Sequence, residues 1–200
     1  GNFRAGRLRD RDAFPRQMIE PRILNLNFTR TMNEPLILRN ARDLVIQDLK
    51  ISNPNGPCIV VEGGFQIKIL KSEIGPCGGS GIQVNRASNV QIDGNYIHDT
   101  RGNNIELLSS KYISIKRNQM ARGSSGVYAQ VGTGIEVIEN RFFNVQGPMP
   151  RGQFVQFNQV TGPYNWIKCN IGENQLGSSH AEDAINVFKS MGVPENQAAG

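Results

Sequence analysis

Residues 81–97 read GIQVNRASNVQIDGNYI, and residues 104–120 read NIELLSSKYISIKRNQM. Both stretches place isoleucine, leucine and valine at alternating positions, separated by short polar segments that contain Gly, Asn or Ser. A spacing of two is the period of a β-strand that buries one face. The two stretches therefore predict strands joined by short turns, and they predict the same arrangement twice, 23 residues apart.

The same pattern recurs through most of the chain. A column of apolar triplets follows steps of 23, 23, 23, 22 and 29 residues, and a column of apolar pairs keeps a matching register. The triplets are Leu44/Ile46/Ile51, Ile67/Ile69/Ile74, Val90/Ile92/Ile97, Ile113/Ile115/Met120, Ile135/Val137/Phe142 and Tyr164/Trp166/Ile171. The pairs are Leu36/Leu38, Ile59/Val61, Ile82/Val84, Ile105/Leu107, Val127/Ala129, Val155/Phe157 and Ile185/Val187. One such repeat cannot bury its own apolar face, so the repeats must stack.

Stacked repeats of 22–23 residues leave no room for a crossover helix, and they predict a parallel β-helix with coils about 4.8 Å apart. Asn95, Asn118 and Asn140 occupy the tight turn of three successive repeats, so we expect their side chains to stack and to hydrogen-bond to each other. Ser72 and Cys169 fill the same slot at the two ends, which limits the predicted ladder to three rungs.

The two quoted stretches resemble the repeat of right-handed parallel β-helix proteins, the pectate-lyase-like superfamily. The resemblance covers roughly residues 23–193 and implies an all-β, right-handed parallel β-helix of about seven coils. It implies function only coarsely, because the superfamily includes polysaccharide lyases, glycoside hydrolases, uronan epimerases, phage tailspikes and non-catalytic surface proteins. The sequence lacks the catalytic motifs of its polygalacturonases, alginate epimerases and pectate lyases, so no catalytic residue is carried over.

The two ends of the chain predict two regions. Residues 1–22 form a basic segment that we expect to cap the first coil, because an open strand edge invites aggregation. Residues 23–200 form the β-helix domain, which we expect to be incomplete at its C-terminal end. There Ile185 and Val187 open a coil that the sequence does not complete. Further coils, a second copy or another partner would cover that edge.

Composition narrows the classes of partner. The net charge is +5, but ten basic and six acidic side chains fall within residues 1–50, and no nucleic-acid-binding signature accompanies them. No apolar run approaches the roughly 18–20 residues of a membrane span. Cys58, Cys77 and Cys169 form no metal-binding pattern, and their disulfide state stays open. Neither a nucleic-acid partner nor a membrane span is therefore expected.

The outward positions of the first strand in each repeat form a strip of mostly polar side chains: Val60, Gln83, Glu106, Tyr128, Gln156 and Asn186. Such a strip suits a polysaccharide or oligosaccharide, because amides donate and accept hydrogen bonds and aromatic rings stack on pyranose faces. The alternative is that these are solvated strand residues without a further role. The candidate substrate-binding residues are Gln83, Glu106, Gln156 and Asn186, together with Arg101 of the adjoining turn.

The long turn before this strand gathers ionisable side chains, and we expect it to form one wall of a groove beside the strip. The side chains are His98, Asp99, Arg101 and Arg122, followed in later repeats by Arg151, His180, Glu182 and Asp183. Asp99 and Arg122 are 23 residues apart and should be stacked neighbours. They form either a surface ion pair, or a site in which Arg122 binds a uronate carboxylate while Asp99 holds it.

These residues fit lyase or epimerase chemistry on an acidic polysaccharide. Such an enzyme must neutralise a carboxylate, remove the neighbouring proton and handle the leaving group or reprotonation. Arg122, Gln83 or a bound Ca²⁺ could neutralise the carboxylate. His98 or Tyr128 could serve as the base or the acid. Asp99 and Glu106 could ligate Ca²⁺, although two carboxylates make a thin site. The alternative is a non-catalytic carbohydrate-binding or structural surface repeat protein. We expect an extracellular or periplasmic location.

Overall fold

The computed structural model describes residues 22–25 and 29–192, and this part of the chain consists of strands and turns without a helix. The predicted capping segment, residues 1–22, lies outside the described residues except for Arg22. The nineteen strands, in chain order β1 to β19, are Arg22–Asn25, Thr29–Thr31, Leu36–Arg39, Arg42–Gln47, Lys50–Asn53, Ile59–Glu62, Phe65–Leu70, Glu73–Cys77, Ile82–Asn85, Ser88–Asp93, Tyr96–His98, Ile105–Lys116, Gln119–Ala121, Val127–Ile138, Arg141–Phe143, Val155–Val160, Trp166–Lys168, Ile171–Glu173 and Ile185–Phe188.

The strands stack into three columns along one axis. The first column holds β3, β6, β9, the first halves of β12 and β14, β16 and β19. The second holds β1, β4, β7, β10, the second halves of β12 and β14, and β17. The third holds β2, β5, β8, β11, β13, β15 and β18. Every pairing between the described strands is parallel, and the predicted right-handed parallel β-helix is confirmed.

The number of coils differs slightly from the prediction. Among the described residues, the first coil has no strand in the first column, and the last coil contributes only β19. The number of complete coils is therefore slightly below the roughly seven that the resemblance implied.

The predicted 23-residue register is confirmed through the middle of the chain. Val90 pairs with Ile67 on one side and with Ile113 on the other. All three side chains point inward and are at most 1% exposed. Because each inward side chain stacks on an apolar neighbour one coil below, the interior is a set of continuous apolar ladders. Burial of this apolar surface is the main term that stabilises the coils against each other.

The predicted alignment of the last second-column strand is wrong by one residue. Val137 pairs with Ile167 rather than with Trp166, and the third-column strand is shifted in the same way. A shift of one residue reverses the faces of a strand, so Trp166 and Ile171 point outward and are 50% and 59% exposed. The reason is the longer preceding turn, in which the Asn165 side chain accepts a hydrogen bond from the coil below.

A buried asparagine ladder forms at the turn between the second and third columns, as predicted, but it has four rungs rather than three. The rungs are Asn95, Asn118, Asn140 and Asn170. In the first three rungs the Nδ2 donates to the Oδ1 of the next rung at 3.0–3.1 Å. At the lower end the backbone N–H of Ser72 donates to the first rung at 3.0 Å. Asn170 rather than Cys169 occupies the last position of the ladder, because the strand is shifted by one residue.

The cysteine pairing, which the sequence left open, is resolved by the structure. Cys58 and Cys77, 19 residues apart, form a disulfide between neighbouring coils. Cys169 is an exposed thiol.

Candidate functional site

The outward face of the first column carries the predicted strip in the predicted register. Its residues pair from coil to coil in the order Val60, Gln83, Glu106, Tyr128, Gln156 and Asn186. The strip is more covered than a solvated strand face would be. Tyr128 is only 4% exposed and Gln156 only 7%, and a side chain from the turn before β16 contacts both of them.

Arg151 is the residue that covers the strip. Its guanidinium carbon lies 3.9 Å from the centroid of the Tyr128 ring. Its Nη1 donates to the Gln156 Oε1 at 3.3 Å and to the carbonyl of Pro150 at 3.4 Å. In the described part of the chain no carboxylate forms an ion pair with this guanidinium. Since its partners are neutral, the cation can still bind an anion.

The hydroxyl group of Tyr128 connects Arg151 to two further amides. It donates to the Gln130 Oε1 at 3.2 Å and accepts from the Asn158 Nδ2 at 3.3 Å. The cation, the phenol and the amides form one group, which we call the Arg151 cluster: Tyr128, Gln130, Arg151, Gln156 and Asn158. Because Arg151 occupies the face of the Tyr128 ring, that ring is not free to stack on a sugar.

The other predicted binding residues flank the Arg151 cluster without joining it. Glu106, one coil below Tyr128, accepts a hydrogen bond from the Ser80 hydroxyl at 2.6 Å. Asn186, one coil above Gln156, donates to the Asp183 carboxylate at 3.4 Å. Gln83 is half-buried on the strip, and Arg101 is exposed on its turn.

A second group of polar side chains lies at the third column. Arg122 donates to Asp99 through Nε at 2.6 Å and through Nη2 at 2.8 Å. The Nδ1 of His98 lies 2.6 Å from the same carboxylate, and its Nε2 lies 3.6 Å from Glu73. The Tyr96 ring stacks on His98 with centroids 4.3 Å apart, and its hydroxyl accepts from Arg122 at 3.3 Å. We call these five residues the Arg122 cluster.

The charges within the Arg122 cluster stabilise each other. Hydrogen bonds from Arg122 lower the pKa of Asp99 to about 2, and His98 contributes in the same direction. The hydrogen bond to Asp99 raises the pKa of Arg122. A hydrogen bond from Lys50, 2.9 Å away, lowers the pKa of Glu73. In the Arg122 cluster, Arg122, Asp99 and Glu73 each already have a partner of opposite charge, as expected for a structural ion-pair network.

The structure does not bring the three predicted catalytic residues together. His98 and Arg122 belong to the Arg122 cluster at the third column, whereas Tyr128 belongs to the Arg151 cluster at the first. His98 is the last residue of β11 and Asp99 follows it directly, so both lie at the third-column end of the turn. The prediction that they form a wall beside the strip is therefore wrong.

The predicted calcium ligands do not fit a common ion. Asp99 binds Arg122, and Glu106 accepts a hydrogen bond from Ser80, so their oxygens have different partners. Within residues 22–25 and 29–192, no group of three His, Cys, Asp or Glu side chains could hold a metal ion.

Sequence reasoning named Arg151 only as one of several ionisable residues of the long turn. The sequence did indicate that Arg151 could reach the strip, because Arg151 lies only five residues before Gln156. The turn that carries it is longer than the turns of the preceding coils. The position of the guanidinium over Tyr128 depends on the path of this turn, which the repeat spacing does not specify.

Comparisons with known proteins give one family match and several similar solved structures. A family model described as "Right handed beta helix region" matches residues 36–193. Similar solved structures include the periplasmic alginate epimerase AlgG, at 13% identity and a TM-score of 0.37, covering 79% of this chain and 47% of that chain. A double mutant of AlgG is similar at 11% identity and a TM-score of 0.40, with the same coverage. This chain thus spans about half the length of those structures.

No curated protein sequence matches the chain. Among the residues that the structure describes, no helix is long and apolar enough to cross a membrane. The family match covers more than half of the chain, and the described strands within it form parallel coils. The chain belongs to the right-handed beta helix family.

Proposed function

We propose that this protein is a carbohydrate-active β-helix protein that binds an acidic polysaccharide at the Arg151 cluster. The observation that supports the proposal is the guanidinium of Arg151, held against Tyr128 with no carboxylate partner among the described residues. A guanidinium fixed in this way can bind the carboxylate of a uronate through two parallel hydrogen bonds. The amides of Gln130, Gln156 and Asn158 suit the sugar hydroxyls around it.

The rest of the strip fits a polymer that lies along the helix axis. Neighbouring coils are about 4.8 Å apart, so an extended glycan would meet one outward side chain in each coil. Glu106 lies one coil below Tyr128 and would repel a uronate carboxylate. The charged group of the sugar is therefore expected over Arg151, with hydroxyl groups over Glu106.

The disulfide between Cys58 and Cys77 supports an extracellular or periplasmic location. Disulfides persist in oxidising compartments and are rare in the cytosol. A protein that binds an extracellular or periplasmic polysaccharide would meet its ligand there.

Calorimetric titration with hexagalacturonate tests the binding proposal. We expect Arg151→Gln to weaken hexagalacturonate binding about 10- to 100-fold, the loss of a charge-assisted contact worth about 1.5–3 kcal/mol. Arg117→Gln is the matched control, because it removes the same charge from an exposed arginine that pairs with Asp93 on another turn. Equal affinities in the two variants would show that Arg151 is not the carboxylate-binding group.

Lyase or epimerase chemistry is the second candidate, favoured by the contact between Arg151 and Tyr128. The cluster combines a group that neutralises a carboxylate with a phenol that can transfer a proton. Arg151 would take the part that the sequence assigned to Arg122, whose guanidinium is already paired with Asp99.

Turnover assays separate the enzyme from the binding protein. Pectate, alginate and glycosaminoglycans would be incubated with and without Ca²⁺. Ultraviolet absorbance of unsaturated uronyl ends reports lyase activity, and deuterium uptake at the carbon beside the carboxylate reports epimerisation. We expect Tyr128→Phe to abolish either signal while hexagalacturonate binding remains. Absence of both signals on all polymers, with binding intact, would favour the non-catalytic alternative.

A further inference from the structure

A column of left-handed residues runs along the second column of strands. In six successive coils, the residue immediately before the first inward position has a φ between 50° and 66°. These residues, which we call the ridge, are Asp43, Gln66, Asn89, Tyr112, Gly134 and Tyr164. Five of the six carry side chains, for which this conformation costs free energy. The same conformation recurs at other turns of the coils, as at Arg86 and Arg117, so the ridge is distinguished by the side chains that it presents.

Beside the ridge lies a trough of about 550 Å³. Its floor is formed by outward side chains that pair from coil to coil, in the order Val45, Lys68, Gln91 and Ser114. The same row continues beyond the trough to Glu136 and Trp166. The only charged side chains lining the described trough are Asp43 and Lys68, whose charges balance.

Two tyrosines occupy the same ridge position two coils apart. Tyr112 is 53% exposed and Tyr164 is 58% exposed, and Gly134 lies between them. A Cβ atom at Gly134 would lie only 2.6 Å from the Cδ1 of Tyr112, so the Tyr112 ring lies against this glycine. Trp166, 50% exposed, follows Tyr164 on the neighbouring row. Two coil spacings separate the tyrosines by about 10 Å along the axis.

We infer that the ridge and trough form a second glycan-binding surface, on a different face from the Arg151 cluster and independent of it. A linear polysaccharide would lie along the axis and stack a sugar ring on Tyr112 and another on Tyr164. Their separation is about the length of two pyranose units in an extended chain. Polar side chains such as Gln91 and Asn89 would bond to hydroxyls, and the balanced charge removes any requirement for a charged sugar.

Binding can be measured by the fluorescence of Trp166, because Trp166 is the only tryptophan of the chain. Its emission would be followed during titration with cellohexaose, a neutral linear hexasaccharide, and with cellobiose. We expect saturable binding of cellohexaose that weakens about tenfold in Tyr112→Asn and in Tyr164→Asn. Asn is chosen because it tolerates the left-handed backbone and already occupies the ridge at Asn89.

Three comparisons make the test specific. Tyr112→Phe should bind like wild type, because the ring is retained. Cellobiose, too short to reach both rings, should bind wild type more weakly than cellohexaose does. Arg151→Gln should leave the cellohexaose titration unchanged, so failure of the Arg151 proposal and failure of this one are distinguishable. The inference is overturned if cellohexaose leaves the Trp166 emission unchanged, or if the two Asn variants bind it as tightly as wild type.

Discussion

Arg122 and Asp99 form a bidentate ion pair between neighbouring coils, with Nε–Oδ1 and Nη2–Oδ2 distances of 2.6 and 2.8 Å. The Nδ1 of His98 lies 2.6 Å from the same carboxylate. Of the two alternatives that the 23-residue spacing left open, this geometry favours the ion pair. A guanidinium whose fork is filled by a carboxylate of the protein has little capacity left for the carboxylate of a sugar.

We expect Asp99 to contribute stability that is lost in acid. Its pKa in the folded protein is about 2, against an ordinary value of 3.8, so the folded state binds fewer protons than the unfolded state between these values. The contribution is therefore complete above pH 3.8 and disappears as the pH falls towards 2. Both side chains are 39% exposed, so solvent screening limits the effect to below about 1 kcal/mol.

Thermal unfolding of wild type and Asp99→Asn between pH 6 and pH 2 measures this contribution. The difference between the two midpoints should shrink as the pH falls. Glu73, whose pKa is also lowered, remains in both proteins and serves as the common background. A midpoint difference that stays constant over this range would contradict the assignment.

The asparagine ladder predicts a large loss of stability when its second rung is removed. The Nδ2 of Asn118 donates to the Ile92 carbonyl at 2.9 Å and to Asn140 at 3.0 Å, and its Oδ1 accepts from Asn95. Asn118→Ala leaves buried backbone groups unpaired, so we expect a loss of about 3 kcal/mol in the free energy of unfolding.

Chemical denaturation of Asn118→Ala is compared with that of Ser114→Ala. Ser114 lies on the outward face of the second column, so its loss should change the free energy of unfolding by less than about 0.5 kcal/mol. Similar losses in the two variants would show that the ladder contributes no more than an outward hydroxyl.

The sequence predicts most of the fold because stacking constrains each coil by the one below it. Ile92 must lie on Ile69 and under Ile115, so a fixed step of 23 residues reveals the register without any other information. The prediction fails where the step changes. A longer turn separates Val137 from Ile167. Because Trp166 and Ile167 are both apolar, the sequence did not distinguish the correct register from the one shifted by one residue.

The candidate site is less predictable, because its side chains come from turns. The outward strip follows from the alternation of the strands, and its register is confirmed at Tyr128 and Gln156. Which turn residues reach the strip depends on the backbone path, and the structure selects Arg151 rather than His98. The left-handed ridge did leave a signal, since Asp43, Asn89 and Gly134 are residue types that favour this conformation.

The disulfide between Cys58 and Cys77 should stabilise the lower coils. It closes a loop with a sequence separation of 19, for which restriction of the unfolded chain predicts about 3 kcal/mol. We expect the Cys58→Ala/Cys77→Ala variant to lose about this amount in chemical denaturation. Reduced wild-type protein should lose a similar amount, whereas Cys169→Ser, at an exposed thiol, should unfold like wild type. Wild type that unfolds identically with and without reductant would contradict the cross-link.

Gly134 should position the Tyr112 ring for glycan stacking, and Gly177 provides a matched control. Both glycines have a positive φ, 66° and 80°, so an Ala at either site adds backbone strain of about 1 kcal/mol. Only at Gly134 does the new Cβ meet the Tyr112 ring, at 2.6 Å, whereas no atom lies within 4 Å at Gly177. Gly134→Ala must therefore displace the ring.

We expect the two glycine variants to lose similar thermal stability but to differ in binding. In titrations followed by Trp166 emission, Gly134→Ala should bind cellohexaose several-fold more weakly than wild type, since a displaced ring loses part of its stacking. Gly177→Ala should bind like wild type. Equal binding by both variants would show that the position of the Tyr112 ring over Gly134 does not affect cellohexaose binding. Weaker binding by both would trace the effect to backbone strain rather than to the orientation of Tyr112.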